Sequence, residues 1–258
     1  MRFKDKIFVV TGGGTGIGSC IAKDLCAEGG IVNILGRRSR ELEKIKNQTA
    51  GKTVCQGKII PYTCDISSAE QVNKIFDAIL KTTGPVNGLV NNAGVNPSRT
   101  DIINTDVTAW KNTLDINLSG AFNCSKAAVK QMLLSGMGSI VNISSIAGIS
   151  AMQNRTAYSA SKAGLIGFAR AMAIDFAKNQ IRVNCVCPGY IETNLVREYL
   201  KSLNKEEFDS LVNAHPLKRL GSAKDISQAV LFLLSSAANW ITGAVLPVDG
   251  GYSMGKEC

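Results

Sequence analysis

A serine, a tyrosine and a lysine in the middle of the chain have the types and the spacing of an acid–base site. Tyr158 and Lys162 are four residues apart in a segment with a helical pattern, so both side chains leave one face of that helix. An unperturbed phenol has a pKa of about 10, and an adjacent ammonium favours its ionised form. Ser145 follows a predicted strand at residues 139–143, where its hydroxyl can hold the oxygen that Tyr158 protonates. A Tyr/Lys pair is also common on plain amphipathic helices. The surrounding elements are therefore needed to distinguish an active site from an ordinary helix.

Short apolar strands alternate with helical segments along the whole chain. The predicted strands are 7–10, 31–35, 58–63, 86–90, 139–143, 181–186 and 243–248. The predicted helices are 16–27, 39–47, one opened by Ser68, 109–134, one around Tyr158 and one around 230–234. This alternation indicates an α/β fold of the Rossmann type, a doubly wound parallel sheet of about seven strands with helices on both faces. No linker or repeat interrupts it, so residues 1–258 are predicted to form a single domain.

Composition excludes several classes of function. The chain has 258 residues, 45% of them hydrophobic, and no run approaches the roughly 20 apolar residues of a membrane span. The N-terminal segment lacks the apolar stretch of a signal peptide, so we expect a soluble, cytoplasmic protein with no membrane partner. The net charge of +9 favours anionic ligands, but the basic residues are scattered, which argues against nucleic acid.

Cysteine and histidine patterns argue against a metal site. The eight cysteines (20, 26, 55, 64, 124, 185, 187, 258) contain no Cys-x-x-Cys pair, and the single histidine is His215. We expect the cysteines to be small buried hydrophobes. No metal is predicted.

A glycine-rich turn follows the first strand. It runs Thr11-Gly-Gly-Gly-Thr-Gly-Ile-Gly18 and leads into the first helix. Such glycines let the backbone turn tightly and approach a pyrophosphate at the positive end of the helix. The alternative is a plain glycine-rich turn. The predicted cofactor contacts are Gly12, Gly14, Thr15, Gly16, Ile17 and Gly18.

The end of the second strand predicts which dinucleotide is bound. An acidic residue there would receive the ribose hydroxyls of NAD, but the sequence has Gly36-Arg37-Arg38. A carboxylate would repel a ribose phosphate by roughly 3 kcal/mol per unit-charge pair, whereas arginine offers it a planar fork of donors. NADP(H) is therefore the expected cofactor, unless Arg37 and Arg38 only solvate a loop.

Taken together, these motifs resemble the classical short-chain dehydrogenases/reductases. The residues concerned are Thr11-Gly-x-x-x-Gly-x-Gly18, Asn91-Asn-Ala-Gly94, a serine thirteen before the tyrosine of Tyr158-x-x-x-Lys162, and Pro188-Gly189. The resemblance covers essentially the whole chain. It is closest to 3-oxoacyl-[acyl-carrier-protein] reductases of fatty acid synthesis through Lys162–Phe168, Pro188–Thr193 and Ile241–Gly243, segments that family members with other substrates share.

The resemblance implies a catalytic set of Asn117, Ser145, Tyr158 and Lys162. Tyr158 would give a proton to a carbonyl oxygen that Ser145 polarises, while nicotinamide delivers hydride to the carbon. Lys162 would lower the pKa of Tyr158 and bind the nicotinamide ribose. Asn117 would hold a water of the proton relay, or else be a helix-interior amide bonded to backbone.

Further cofactor contacts are implied in the same way. Asp65 would contact adenine, although an aspartate at a strand end is often only a helix cap. Asn91 would stabilise the central strands and lie near the adenosine ribose. The loop after the sixth strand would lie on the nicotinamide side, unless it is an ordinary Pro-Gly turn. The set adds Asp65, Ile66, Asn91, Ala93, Gly94, Tyr158, Lys162, Pro188, Gly189, Ile191 and Thr193. One departure is Thr15, where some NADP enzymes of the family carry a basic residue.

The substrate region and the activity leave alternatives open. Residues 192–219 carry an apolar stripe broken by charges, which fits either a lid over the substrate or two short helices packed on the core. The first hypothesis is an NADPH-dependent ketone reductase, with a small carbonyl substrate or an acyl-carrier-protein or CoA thioester. The others are a dehydrogenase of a sugar, polyol or steroid alcohol and a non-enzymatic NADP sensor. Family likeness also implies a homotetramer.

Overall fold

One parallel sheet organises the chain. The computed structural model describes residues 1–51, 56–96, 99–150 and 152–255. Within these ranges the strands are β1 Ile7–Thr11, β2 Ile31–Gly36, β3 Lys58–Thr63, β4 Gly88–Asn91, β5 Gly138–Ile143, β6 Ile181–Pro188 and β7 Val245–Val248. The helices are α1 Gly16–Ala27, α2 Ser39–Thr49, α3 Ala69–Thr83, α4 Val107–Leu114, α5 Gly120–Ser135, α6 Thr156–Asp175, α7 Asn194–Ser202, α8 Lys205–Asn213 and α9 Ala223–Leu234.

The strand order is β3-β2-β1-β4-β5-β6-β7, with every pair parallel. The chain builds outward from β1 to β3, returns to the centre, and builds outward again from β4 to β7. Val9 of β1 is therefore paired with Asn33 of β2 on one side and Leu89 of β4 on the other. This reversal between β1 and β4 opens a crevice at the carboxyl ends of the strands, where open α/β sheets bind ligands.

The two faces of the sheet carry separate hydrophobic cores. Val9 and Leu89 pack on one face, under α3, α5 and α6, while Val10 and Val90 pack on the other, under α1, α2 and α9. Neighbouring residues of a strand point to opposite faces, so one apolar strand feeds both layers. The doubly wound α/β fold predicted from the sequence is confirmed.

Most predicted elements lie within two or three residues of the observed ones, and α1 and β3 have the predicted bounds. The helix predicted over 109–134 differs. A π-helical turn, Asp115–Ser119, separates α4 from α5 without ending the helical run. Such a turn inserts a residue into the ladder and redirects side chains, and it frequently marks a functional position. Asn117 is at its centre.

Residues 192–219 form the two short helices α7 and α8. A capping box between Asn204 and Glu207 begins α8, with both of its hydrogen bonds present at 2.8 and 2.9 Å. Neither helix has a fully buried side chain among those described. Two short helices were one of the two alternatives that the sequence offered for this segment. Motion of this segment as a lid stays a prediction.

The described cysteines are mostly buried, as the sequence predicts, but Cys26 is disulfide-bonded and so is not simply a buried hydrophobe. Cys55 and Cys258 lie outside the described residues. Buried are Cys26, Cys64, Cys124, Cys185 and Cys187. No group of three His, Cys, Asp or Glu side chains in the described part of the chain is placed to hold a metal ion. None of its helices is long and apolar enough to cross a membrane.

Candidate active site

The turn between β1 and α1 depends on its glycines. Gly12 and Gly16 have φ angles of +66° and +55°, a left-handed backbone that glycine adopts without strain. A side chain at Gly18 would collide with the carbonyl oxygen of Gly12 and the amide of Asn92. These glycines therefore bring the N-terminus of α1 close to the crevice, where its free N–H groups attract anions.

Thr11 and Asn92 join this turn to the segment after β4, a link that the sequence analysis did not predict. The Thr11 hydroxyl accepts hydrogen bonds from the backbone N–H groups of Asn92 and Ala93, both at 3.0 Å. The Asn92 amide donates to the Thr11 carbonyl oxygen at 2.9 Å. Ala93 and Gly94 are thereby fixed on the wall of the crevice, beside the turn.

Asn91 lies behind that wall rather than on it. Its side-chain amide donates to Ser125 Oγ at 2.9 Å and to Asn142 Oδ1 at 2.8 Å. The residue is 4% exposed, buried between β4, β5 and α5. This placement agrees with the expected stabilisation of the central strands. The expected position near the adenosine ribose stays a prediction.

Two exposed arginines lie where β2 ends. Arg37 and Arg38 line the crevice, and Arg38 Nη2 lies 3.4 Å from Thr15 Oγ1 in the glycine turn. Across from them, Asp65 Oδ1 accepts hydrogen bonds from Ser67 Oγ at 2.7 Å and Ser67 N at 3.0 Å. The Ser67 hydroxyl, and to a smaller extent the Arg37 charge, lower the pKa of Asp65. This end of the crevice thus combines the guanidinium groups of Arg37 and Arg38 with the carboxylates of Asp65 and Glu41.

Ser145 and Tyr158 meet at the other end. The Ser145 hydroxyl accepts a hydrogen bond from Ala147 N at 3.1 Å and is also bonded to the Tyr158 phenol. Burial raises the pKa of Tyr158, and the bond to Ser145 only partly offsets this. The phenol is consequently protonated at neutral pH, as a proton donor has to be.

Lys162 is held deep beside them. It is 4% exposed, its Nζ donates to the carbonyl oxygen of Ile143 at 2.9 Å, and it lies 5.7 Å from the Tyr158 ring centroid. Burial lowers its pKa to about 8. The hydroxyl of Ser144 donates to the Lys162 carbonyl oxygen at 2.9 Å and so attaches α6 to the end of β5.

The pKa of Tyr158 departs from the sequence-based expectation. The resemblance implied that Lys162 lowers it, but burial has the larger effect and the pKa of Tyr158 is raised. The reason is positional: the ammonium is bound to the Ile143 carbonyl group and lies towards the ring, so burial of the phenol dominates.

Asn117 supports the site from the π-helical turn. Its Oδ1 accepts from Val95 N at 2.8 Å, and its Nδ2 donates to Val95 O and Ser161 Oγ, both at 3.0 Å. A side chain on Gly94 would meet this amide at 3.1 Å. The side chain therefore fixes the backbone beside the crevice. The expected role in holding a water stays a prediction.

These residues line a single crevice of about 700 Å³. Of the predicted site residues, Gly18, Asn91 and Asn117 stand behind its wall. Those on the wall are Gly12, Gly14, Thr15, Gly16, Ile17, Arg37, Arg38, Asp65, Ile66, Ala93, Gly94, Ser145, Tyr158, Lys162, Pro188, Gly189, Ile191 and Thr193. The set has the glycine turn and guanidinium groups at one end and Ser145 at the other, an arrangement that fits a dinucleotide cofactor.

The sequence analysis missed the outer wall beyond Tyr158. Arg155 caps the start of α6 and Arg99 follows the β4 segment, and both face the crevice with Tyr190 and Tyr199. One signal was available: Arg155 is only three residues before Tyr158 in the chain, directly before the helix that carries the proposed proton donor. The tyrosines come from the loop after β6 and from α7, where the sequence carried no pattern specific to a substrate.

Comparison with known proteins agrees with this geometry. A family model described as enoyl-(acyl carrier protein) reductase matches residues 12–253. A 3-oxoacyl-[acyl-carrier-protein] reductase from Mus musculus is 39% identical over 250 residues, which cover 97% of this chain and 99% of that protein. The matched segment thus takes in both the glycine turn and the region of Ser145, Tyr158 and Lys162.

Two solved structures share the fold. The crystal structure of levodione reductase is 31% identical, covers 98% of this chain and 99% of its own, and superposes with a TM-score of 0.92. ElxO with NADP bound is 34% identical, covers 97% and 99%, and has a TM-score of 0.89. These similar proteins carry different substrate names, so the likeness extends to the scaffold and the chemistry more closely than to the substrate.

Proposed function

The chain belongs to the short-chain dehydrogenase/reductase family, and from that premise we propose that it reduces a ketone to a secondary alcohol with NADPH. It is an oxidoreductase of the class that acts on CH–OH and C=O groups. The observation that carries the proposed chemistry is the hydrogen bond between Ser145 and a protonated Tyr158 in the crevice. A proton donor at that place suits a reaction in which a carbonyl oxygen becomes a hydroxyl group.

The proposed cofactor is NADP(H), because of the charges where β2 ends. Gly36 leaves the ribose position without a carboxylate, and Arg37 and Arg38 supply guanidinium groups that bind phosphate as a fork. Gly12, Gly14 and Gly16 line the crevice at the N-terminus of α1, where the pyrophosphate would bind. Membership of the family implies a nicotinamide cofactor. Of the two such cofactors, NADP carries the extra phosphate that these arginines can bind.

In the proposed reaction the protein positions and protonates the substrate oxygen. NADPH, when bound, supplies the hydride that adds to the carbonyl carbon. Ser145 donates a hydrogen bond to the carbonyl oxygen and draws electron density towards it, which favours the developing negative charge. Tyr158 then transfers its phenol proton to that oxygen, so one hydride and one proton together make the alcohol.

Lys162 stabilises the state that follows proton transfer. Its ammonium lies beside the Tyr158 ring, and a positive charge there lowers the energy of the phenolate left behind. Because Lys162 is also bound to the Ile143 carbonyl oxygen, its position is fixed before the reaction. A fixed charge needs little reorganisation during the step.

A 3-oxoacyl thioester is one substrate that the similarity supports, since 3-oxoacyl-[acyl-carrier-protein] reductase is the name of the mouse relative. The proposed partners are accordingly a small carbonyl compound, or such an acyl chain on a carrier protein or CoA. The alternative of a sugar, polyol or steroid alcohol dehydrogenase uses the same residues in reverse. The cytoplasmic location and the homotetramer stay predictions.

The experiment that tests this function is the initial rate of NADPH consumption with acetoacetyl-CoA and with uncharged ketones. NADH is assayed beside NADPH. We expect reduction with NADPH, slower reduction with NADH, and no reduction by Tyr158→Phe. Faster turnover with NADH would contradict the role given to Arg37, and an unaffected Tyr158→Phe enzyme would contradict the proton donor.

A further inference from the structure

Two guanidinium groups face the part of the crevice where the substrate of the proposed reaction has to lie. Arg155 caps the start of α6, and its Nη1 donates to Asn96 Oδ1 at 2.8 Å. Its backbone also forms a bridge with Thr100. Arg99, on the intervening segment, lies with its guanidinium carbon 3.7 Å from the centroid of the Tyr199 ring, close enough for a cation–π contact. Both side chains are thus held at the crevice by identified contacts.

The two charges are close enough to affect each other. The pKa of Arg155 is lowered first by burial and next by the charge of Arg99, while Tyr158, Tyr190 and Tyr199 act in the opposite direction. Two like charges facing one space repel each other, and an anion placed between them relieves that repulsion. The described acidic residues on the crevice wall, Glu41 and Asp65, lie at the far end, by the glycine turn and Arg37.

The start of α6 places Arg155 near the reacting carbonyl group. Arg155 directly precedes α6, Tyr158 lies in the first turn of that helix, and both line the crevice. Their electrostatic coupling agrees, since the Arg155 charge acts on the Tyr158 phenol. A substrate that gives its carbonyl oxygen to Tyr158 can therefore give an anionic group, a few bonds away, to Arg155.

We propose that the natural substrate is an oxo acid whose anionic group binds Arg155 and Arg99 while its ketone lies against Ser145 and Tyr158. This inference rests on the proposed ketone reduction and narrows its substrate to a compound with an oxyanion close to the carbonyl group. Guanidinium groups bind carboxylate in a planar, bidentate manner, and phosphonate by similar contacts. The product is the corresponding hydroxy acid. An uncharged 3-oxo thioester makes no use of these arginines.

The test compares methyl ketones that carry different groups at the same distance from the carbonyl carbon, charged in two and uncharged in two. Wild-type kcat and KM are measured with NADPH and acetoacetate, acetonylphosphonate, acetoacetamide and the N-acetylcysteamine thioester of acetoacetate. We expect kcat/KM for at least one anion to exceed that for acetoacetamide by about tenfold or more. Comparing kcat/KM for acetoacetate with kcat/KM for acetonylphosphonate distinguishes a carboxylate site from a phosphonate site.

Variants then assign the effect to the arginines. Arg155→Met should lower kcat/KM for the preferred anion by roughly 10- to 100-fold, mainly through KM, and change acetoacetamide turnover by less than about threefold. Arg155→Lys should recover part of the loss. Arg197→Met, at an exposed arginine of α7 that does not line the crevice, is the matched control and should change neither.

The possible failures are distinguishable. Equal losses for the anion and for acetoacetamide in Arg155→Met would mean that Arg155 only supports the fold, and would overturn the inference. A wild-type preference for the uncharged thioester would overturn it too, while leaving ketone reduction intact. If no ketone of either charge is reduced although NADPH binds, the proposed function fails together with the inference.

Discussion

The side chain of Asn117 closes a double hydrogen bond on the backbone of Val95. Oδ1 accepts from Val95 N at 2.8 Å, and Nδ2 donates to Val95 O at 3.0 Å. Val95 follows Gly94 on the crevice wall, and Asn117 is in the π-helical turn between α4 and α5. One amide thus fixes the segment after β4 relative to the helical layer.

Removing this amide should destabilise the protein and the site together. Asn117→Ala leaves part-buried backbone groups of Val95 without the partners they have here, so we expect the free energy of unfolding to fall by about 1–3 kcal/mol. Urea denaturation measures it. Asn112→Ala, at an exposed position of α4, is the control and should change stability by less than about 0.5 kcal/mol. Equal effects from both variants would show that the double bond to Val95 contributes nothing particular.

Loss of the Tyr158 hydroxyl should abolish turnover without abolishing cofactor binding. For Tyr158→Phe we expect kcat to fall by about 10²- to 10⁴-fold, the usual contribution of a positioned acid. NADPH affinity, followed by fluorescence titration, should change little. Tyr62→Phe removes a hydroxyl on β3 that lies 3.3 Å from Thr82 Oγ1, outside the crevice, and should keep full activity. A Tyr158→Phe enzyme with near-normal kcat would assign the proton to another group.

The rate of ketone reduction should fall at alkaline pH because of Lys162. Its pKa is about 8, while burial raises that of Tyr158 above its ordinary value. As the pH rises, the ammonium therefore loses its proton first, and kcat/KM should decrease through about pH 8. In Lys162→Arg the guanidinium stays charged, so any activity it retains should lack this decrease. If the pH dependence of kcat/KM were the same in that variant, the decrease would have to come from a different group.

Reversing the charge at Arg37 should change the preference between the two cofactors. Arg37→Glu places a carboxylate near the ribose phosphate, so the Kd for NADPH should rise by roughly 10- to 100-fold while that for NADH changes far less. Isothermal titration with each cofactor measures this. Arg40→Glu makes the same charge change at an exposed residue of α2 off the crevice wall. If both variants weaken NADPH binding equally, only net charge is involved.

A methyl group at Gly18 should disrupt the first turn. It would meet the Gly12 carbonyl oxygen and the Asn92 amide, so Gly18→Ala should cost about 1–3 kcal/mol through overpacking. At this size that lowers Tm by about 2–4 °C per kcal/mol. Gly167→Ala on α6 has nothing within 4 Å of the added carbon and should be neutral or slightly stabilising. A normal Tm for Gly18→Ala would contradict the required contact.

The sequence predicted the scaffold well because its signals are local. The bounds of α1 follow from the glycine turn and from apolar residues at helical spacing, both visible in about a dozen consecutive residues. The reacting side chains were found in the same way. Tyr158 and Lys162 are recognised by their spacing on one helix, and Ser145 by its place directly after a strand. In each case a short pattern fixes the position of the side chain.

The features that the sequence did not predict depend on contacts between distant segments of the chain. Asn91 and Asn142 are 51 residues apart and share a hydrogen bond, which no local pattern contains. The raised pKa of Tyr158 comes from burial, a property of the folded protein that spacing does not give. The outer wall of the crevice could not be predicted from local patterns either, because Arg99, Arg155 and Tyr199 meet only when three separate segments fold together. Substrate specificity was therefore the least predictable part.

The reversal of strand order has a consequence for how such an enzyme can be altered. Arg37 follows β2 and Ser145 follows β5, and three strand spacings of about 4.8 Å place these ends roughly 14 Å apart. Substitutions that far apart usually have additive effects on free energy. The preference for a cofactor and the preference for a substrate are thus determined by residues in separate segments of the chain. Either can be redesigned, or can drift during evolution, while the other is kept.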